Sequence, residues 1–182
     1  GVIHGDPHLG NYSVREDDSI NLLDFGCVRV FPPKFVRGVI DLYNALMTDD
    51  RDLAAHAYET WGFEGLTNEQ IDTLNIWARF LYAPVMEDKV RPIGEVTNGI
   101  YGRETAREVH KKLRDLGKSV TIPREFVFMD RAALGLGSVF LHLKAEVNWY
   151  RVFNEMIEDF DENELERRQA EALEKFDIPS SR

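Results

Sequence analysis

The chain has one cysteine, Cys27. Neither a disulfide framework nor a cysteine zinc site can therefore form within it, and a reducing compartment is the simple reading. It also lacks any apolar run near the ~20 residues that cross a bilayer. The greasiest stretch, Ala132 to Leu143, is broken by Gly135, Gly137, Ser138 and His142. Positive charge is scarce: 22 Lys and Arg stand against 32 Asp and Glu, a net charge of −10. That balance argues against nucleic-acid binding through phosphates, which needs clustered cations, and against broad docking on anionic lipid. His56, His110 and His142 show no zinc-ligand spacing. No signal peptide, internal repeat or low-complexity linker is visible. The chain also lacks an initiating Met. It opens on Gly1-Val2-Ile3, which reads as a buried strand, so residue 1 is expected to be a cut within a longer protein.

What is present is an ordinary globular composition, 182 residues with 43% hydrophobic and 30% charged. That suits one domain with a proper core. Tyr12–Val14 and Ile20–Leu23 are short β-type runs around the polar turn Arg15-Glu16-Asp17-Asp18-Ser19, a hairpin signature. The remainder reads as helical. Pro32-Pro33 sits where a helix begins, and Phe35, Val36, Val39, Ile40, Leu42, Tyr43 and Leu46 follow at helical spacing. Arg51 to Thr60 reads as a second helix. Thr67 with Gln70 three residues on is a capping-box start for a third. A loop is expected over Asp88 to Gly102 and a charged helix over Arg103 to Leu116. A long apolar helix is expected from Pro123 to about Asn148, and a solvated helix or frayed tail from Asp161 to Phe176. The expected fold is α+β, mainly α, with residues 1–30 as a hairpin segment, 31–160 as a helical body and 161–182 as a charged C-terminal piece. Trp61, Trp77 and Trp149 read as packing residues and Cys27 as a small buried filler.

The chemistry lies in His4-Gly5-Asp6-Pro7-His8-Leu9-Gly10-Asn11 and, after the hairpin, in Asp24-Phe25-Gly26. A loop leaving a strand presents Asp6 and then Asn11. The hairpin returns the chain so that Asp24 emerges near both. Phosphoryl transfer from ATP uses such a set, one carboxylate on the acceptor and an Asn and Asp on Mg2+. Hard oxygen ligands suit Mg2+. A His-x-Asp with Asn five positions after the Asp, then Asp-Phe-Gly downstream, is the form of a kinase catalytic loop. The bland alternative is that these are turn-forming residues.

His4 to Asn11 resembles the HxDPHPGN signature of the UbiB/AarF family of atypical kinases, the coenzyme Q biosynthesis kinase-like proteins. Leu22 to Val28 resembles that family's LxDFGxV stretch. The later helix with Arg131, Gly135 and Leu141 to Ala145 is similar to its C-terminal portion in a less specific way. Leu9 stands where the family usually has Pro.

The resemblance implies a protein-kinase-like C-lobe using ATP and Mg2+. Asp6 would be the catalytic Asp, with Asn11 and Asp24 as nucleotide-binding Mg2+ ligands. His4 would support the Asp-Phe-Gly turn, with His8, Gly10, Phe25 and Gly26 in supporting positions. It implies a role around isoprenoid quinone or other lipid metabolism. The family's KxGQ extension, Ala-rich nucleotide loop and ATP-contacting Lys do not occur in these residues, so the N-lobe is expected outside this chain and the segment alone is expected to be inactive. A cytoplasmic protein, at most peripheral at a membrane, is expected. Aminoglycoside- or choline-kinase-like phosphotransferases carry a similar His-Gly-Asp loop and are the alternative, together with a non-catalytic pseudokinase scaffold.

Overall fold

The structure is a computed structural model that describes residues 1–93, 107–108, 111–112 and 124–178. Most of the expected helix from Arg103 to Leu116, and the expected loop beyond residue 93, lie outside the described residues. The fold is α+β and mainly α. Among the described residues it consists of three two-stranded antiparallel ladders and six α-helices.

The first thirty residues form one hairpin nested in another. Strand β1 (Val2–His4) pairs with β4 (Val28–Val30), and β2 (Tyr12–Val14) pairs with β3 (Ile20–Leu22). The registers are Val2 opposite Val30, His4 opposite Val28, and Tyr12 opposite Leu22. The inner turn closes with Asp18 in the left-handed region (φ 63), a conformation Asp tolerates better than most residues. The Asp17 carboxylate accepts from the Ser19 N–H at 3.1 Å and from its hydroxyl at 2.6 Å. The expected buried strand at the start is corrected: Val2 is 59% exposed. A strand in a two-stranded ladder has only one paired edge, and such a ladder is marginal unless something packs on it.

Helices supply that support. Helix α1 (Pro33–Thr48) starts at the expected proline, α2 (Arg51–Thr60) has the expected bounds, and α3 (Asn68–Tyr82) carries the expected capping box. The Thr67 hydroxyl accepts from the Gln70 N–H at 3.3 Å, and the Gln70 side chain accepts from the Thr67 N–H at 2.9 Å. Their facing surfaces bury Phe35, Leu42, Leu46, Tyr58, Trp61 and Ile71. Gly38 lets α2 approach α1, because a Cβ there would lie 2.6 Å from Trp61 Nε1. That nitrogen donates to the Phe35 carbonyl at 3.1 Å. Trp77 stacks on Phe80 and Trp149 meets Phe140 edge-on, in keeping with packing roles.

Helix α4 (Arg124–His142) is anchored in this core by Phe126, whose ring lies 4.8 Å from that of Trp61 and 5.5 Å from that of Phe35. The helix stops earlier than the expected Asn148. Lys144 adopts a left-handed φ of 51, and the chain extends into β6 (Glu146–Val147), which pairs with β5 (Arg91–Pro92). The apolar periodicity runs on without a Gly or Pro, so the break comes from tertiary pairing overriding local propensity. Asn148 then caps a separate helix, α5 (Trp149–Ile157), accepting from the Arg151 N–H at 3.0 Å.

The last helix, α6 (Glu162–Lys175), is capped by Asp161 and is solvated on one face. Its other face is docked: Leu165 is buried, and Gln169 donates to the Phe31 carbonyl at 2.9 Å. No helix among the described residues is long and apolar enough to cross a membrane.

Candidate active site

The nesting of the two hairpins makes the site. Between the outer and inner ladders the chain makes two excursions, residues 5–11 outward and 23–27 on the return. Both begin and end at the same two ladders, so they face each other. The junctions are hydrogen-bonded: the Gly5 N–H donates to the Cys27 carbonyl at 2.6 Å, and the Leu23 N–H donates to the Asn11 carbonyl at 2.9 Å. The first excursion carries Asp6 and Asn11, and the second carries Asp24.

His4 ties the excursions together. Its Nε2 donates to the Asp24 carbonyl at 2.6 Å, while its Nδ1 accepts from the Asp6 N–H at 3.2 Å. Only the neutral Nε2–H tautomer satisfies both bonds. Asn11 is buried, and its Nδ2 donates to the Asp6 carbonyl at 3.0 Å. That bond fixes the amide orientation and leaves Oδ1 as an acceptor. In Asp24, Oδ1 accepts from the Gly26 N–H at 2.7 Å, which leaves Oδ2. Asn11 is thus held through its amide nitrogen and Asp24 through one carboxylate oxygen.

The supporting residues have local reasons for their positions. His8 caps a single 3-10 turn at Leu9–Asn11, its Nδ1 accepting from the Gly10 N–H at 3.1 Å. A Cβ on Gly10 would meet the His8 ring at 2.9 Å, so glycine there allows the ring to fold back. The far nitrogen of His8 lies 3.9 Å from Asp6 Oδ2. Phe25 is 65% exposed and contributes little packing. Cys27, expected to be buried, is only half-buried; its sulfur lies against Gly5, where a Cβ would come within 2.8 Å of it. Its neighbours Gly26 and Val28 are themselves exposed, so nothing covers this stretch of the return excursion completely.

One contact the sequence did not announce comes from α4. Arg29 of β4 stacks on Phe128, 4.8 Å from guanidinium carbon to ring centre. Three residues on, Arg131 brings a guanidinium nitrogen to 3.7 Å from Asp6 Oδ1. A turn later the helix backbone at Gly135 lies against Pro7, where a Cβ would come 2.9 Å from the Pro7 carbonyl oxygen. Positions 128, 131 and 135 share one helix face. The only advance signals were the Arg131–Gly135 spacing and the absence of Lys or Arg from residues 4–11.

Chemically, the arrangement offers a half-exposed carboxylate at Asp6 and a two-residue oxygen donor set at Asn11 and Asp24. Among the described residues no group of three His, Cys, Asp or Glu side chains forms a metal cage. Two oxygen donors instead suit Mg2+, which keeps several waters and completes its shell with phosphate oxygens. The free Oδ1 of Asn11 and Oδ2 of Asp24 fit that requirement.

Residues 1–58 match the family model of the ABC1 atypical kinase-like domain. The matched segment holds both excursions, α1 and most of α2, and it agrees with the UbiB/AarF resemblance. The similarity to an atypical kinase-like domain covers these 58 of the 182 residues. No curated protein matches the chain.

Proposed function

We propose that this chain carries the phosphate end of an ATP- and Mg2+-dependent atypical kinase or ATPase of the UbiB/AarF type, built as a kinase-like C-lobe. The observation that carries the reading is the His4 bridge, which holds the Asp6–Asn11 excursion against Asp24. In this reading Asp6 orients the acceptor hydroxyl or water and takes its proton. Asn11 Oδ1 and Asp24 Oδ2 hold the Mg2+. Bound Mg2+ supplies positive charge across the phosphate oxygens. His4 keeps the two excursions in register through its neutral tautomer. The match to the ABC1 atypical kinase-like domain supports the kinase class. The family resemblance points to quinone or other lipid metabolism as the setting.

Calorimetric titration with ATP and Mg2+, on this chain and on the protein at its full natural length, tests the reading. Asp24→Asn and Asn11→Ala are expected to weaken metal-dependent nucleotide binding. Asp6→Asn is expected to spare binding and abolish phosphate release by the full-length protein. Unchanged turnover in the Asp6 variant would sink the mechanism.

A further inference from the structure

Phosphoryl transfer spreads negative charge over the oxygens of the moving group, and enzymes meet that charge with a fixed cation beside the metal. Residues 4–11 contain no Lys or Arg. The ring of His8, whose Nε2 lies 3.9 Å from Asp6 Oδ2, is engaged through Nδ1 as a turn cap. Arg131 is the residue that α4 delivers to the Asp6 carboxylate, at 3.7 Å and with its side chain 59% exposed. The separation is too long for a hydrogen bond. A loose, exposed pair of this kind adds little to stability, yet the fold goes to some length to place it. Phe126 anchors the helix in the core, Phe128 lies under Arg29, and Gly135 removes the side chain that would hold α4 away from Pro7.

We propose that Arg131 is the phosphoryl-contacting cation of this site. The proposal rests on the kinase or ATPase reading above. In the step, the acceptor oxygen bonds to the γ-phosphorus as the bond from that phosphorus to the β-phosphate oxygen breaks. The electron pair of the broken bond leaves on the β-phosphate oxygen, and the acceptor's proton passes to Asp6. Arg131 turns its planar donors from Oδ1 of Asp6 to the equatorial oxygens of the moving group. A guanidinium suits that geometry better than an ammonium.

The test compares two ligands by calorimetry on the full-length protein, ADP–Mg2+ and ADP–Mg2+ with aluminium fluoride, the second mimicking the moving phosphoryl. The variants are Arg131→Met and Arg131→Lys. Arg131→Met is expected to bind ADP–Mg2+ within about twofold of the parent but to lose about 100-fold in affinity for the aluminium fluoride complex, the usual scale for one removed transition-state donor. Arg131→Lys should recover part of that loss, which a purely structural role would not produce. If both ligands bind Arg131→Met as they bind the parent, the Arg131 assignment is overturned and the kinase reading stands. If the parent binds neither ligand, the kinase reading falls and Arg131 falls with it.

Discussion

Helix α4 contains two glycines one turn-half apart, and they should respond in opposite ways to the same substitution. At Gly135 a Cβ would meet the Pro7 carbonyl oxygen at 2.9 Å and two ring carbons of Pro7 at 3.0 Å. At Gly137 it would meet nothing within 4 Å. Replacing Gly by Ala inside a helix gains ~1 kcal/mol at either site from backbone entropy. Overpacking against a rigid neighbour costs ~1–3 kcal/mol, and only Gly135 incurs it. The helix gain cancels in the comparison, so the two variants should differ by that overpacking cost alone. With a urea slope of ~1–3 kcal/mol per molar for a domain of this size, their midpoints should separate by about 1 M, with Gly137→Ala above the parent and Gly135→Ala at or below it. Urea unfolding followed by helical circular dichroism reads this directly. Coincident midpoints for the two variants would show that α4 does not rest on the Asp6–Pro7 loop, and would remove the support for Arg131 at the same stroke.

Two pH dependences follow from the packing. Burial pushes the Tyr58 and Tyr82 phenols well above the ordinary value of 10.0; their hydroxyls donate to Asn75 Oδ1 at 2.8 Å and to the Val39 carbonyl at 2.9 Å. Their contribution is complete below the ordinary phenol value and is lost as pH rises above it, so the urea midpoint should fall beyond about pH 10, and Tyr58→Phe should flatten that fall. At the other end, hydrogen bonds from Arg151 and Asn148 hold the exposed Asp88 carboxyl below its ordinary 3.8. That contribution is present above the ordinary value and is lost as pH drops through the lowered one. Asp88→Asn should therefore lower the neutral plateau slightly, by what the carboxylate contributes there, and flatten the acid slope of stability below about pH 4.

The elements that could be read in the sequence are those whose cause is local. Pro33 opens α1, the Thr67–Gln70 box opens α3, and the polar turn at residues 15–19 closes the inner hairpin, because each signal lies within a few residues of its effect. The loop bearing Asp6 and Asn11, and the Asp24 turn, were legible for the same reason. The outer β1–β4 ladder was only half visible: three residues give no alternation to read, and the partner lies beyond the whole inner hairpin. The end of α4 was misplaced because nothing between Lys144 and Asn148 breaks a helix by itself; pairing with Arg91–Pro92 does. The approach of Arg131 and Gly135 to the Asp6–Pro7 loop left no local trace beyond their own spacing on the helix. A glycine permits a close neighbour but does not say which one.

The nested hairpins and the two docked helices also differ in when they can exist. Both ladders and the His4 bridge close within the first thirty residues, so as the chain emerges during synthesis these contacts involve short loops and little ordering entropy. The Gln169 bond to Phe31 spans 138 positions, and α4 also arrives long after Pro7. The half-site formed by Asp6, Asn11 and Asp24 can therefore take shape while the guanidinium and the α6 brace are still unmade. A newly made chain would hold its oxygen donors in place before Arg131 arrives beside them, and the brace from the last helix to Phe31 would close later still.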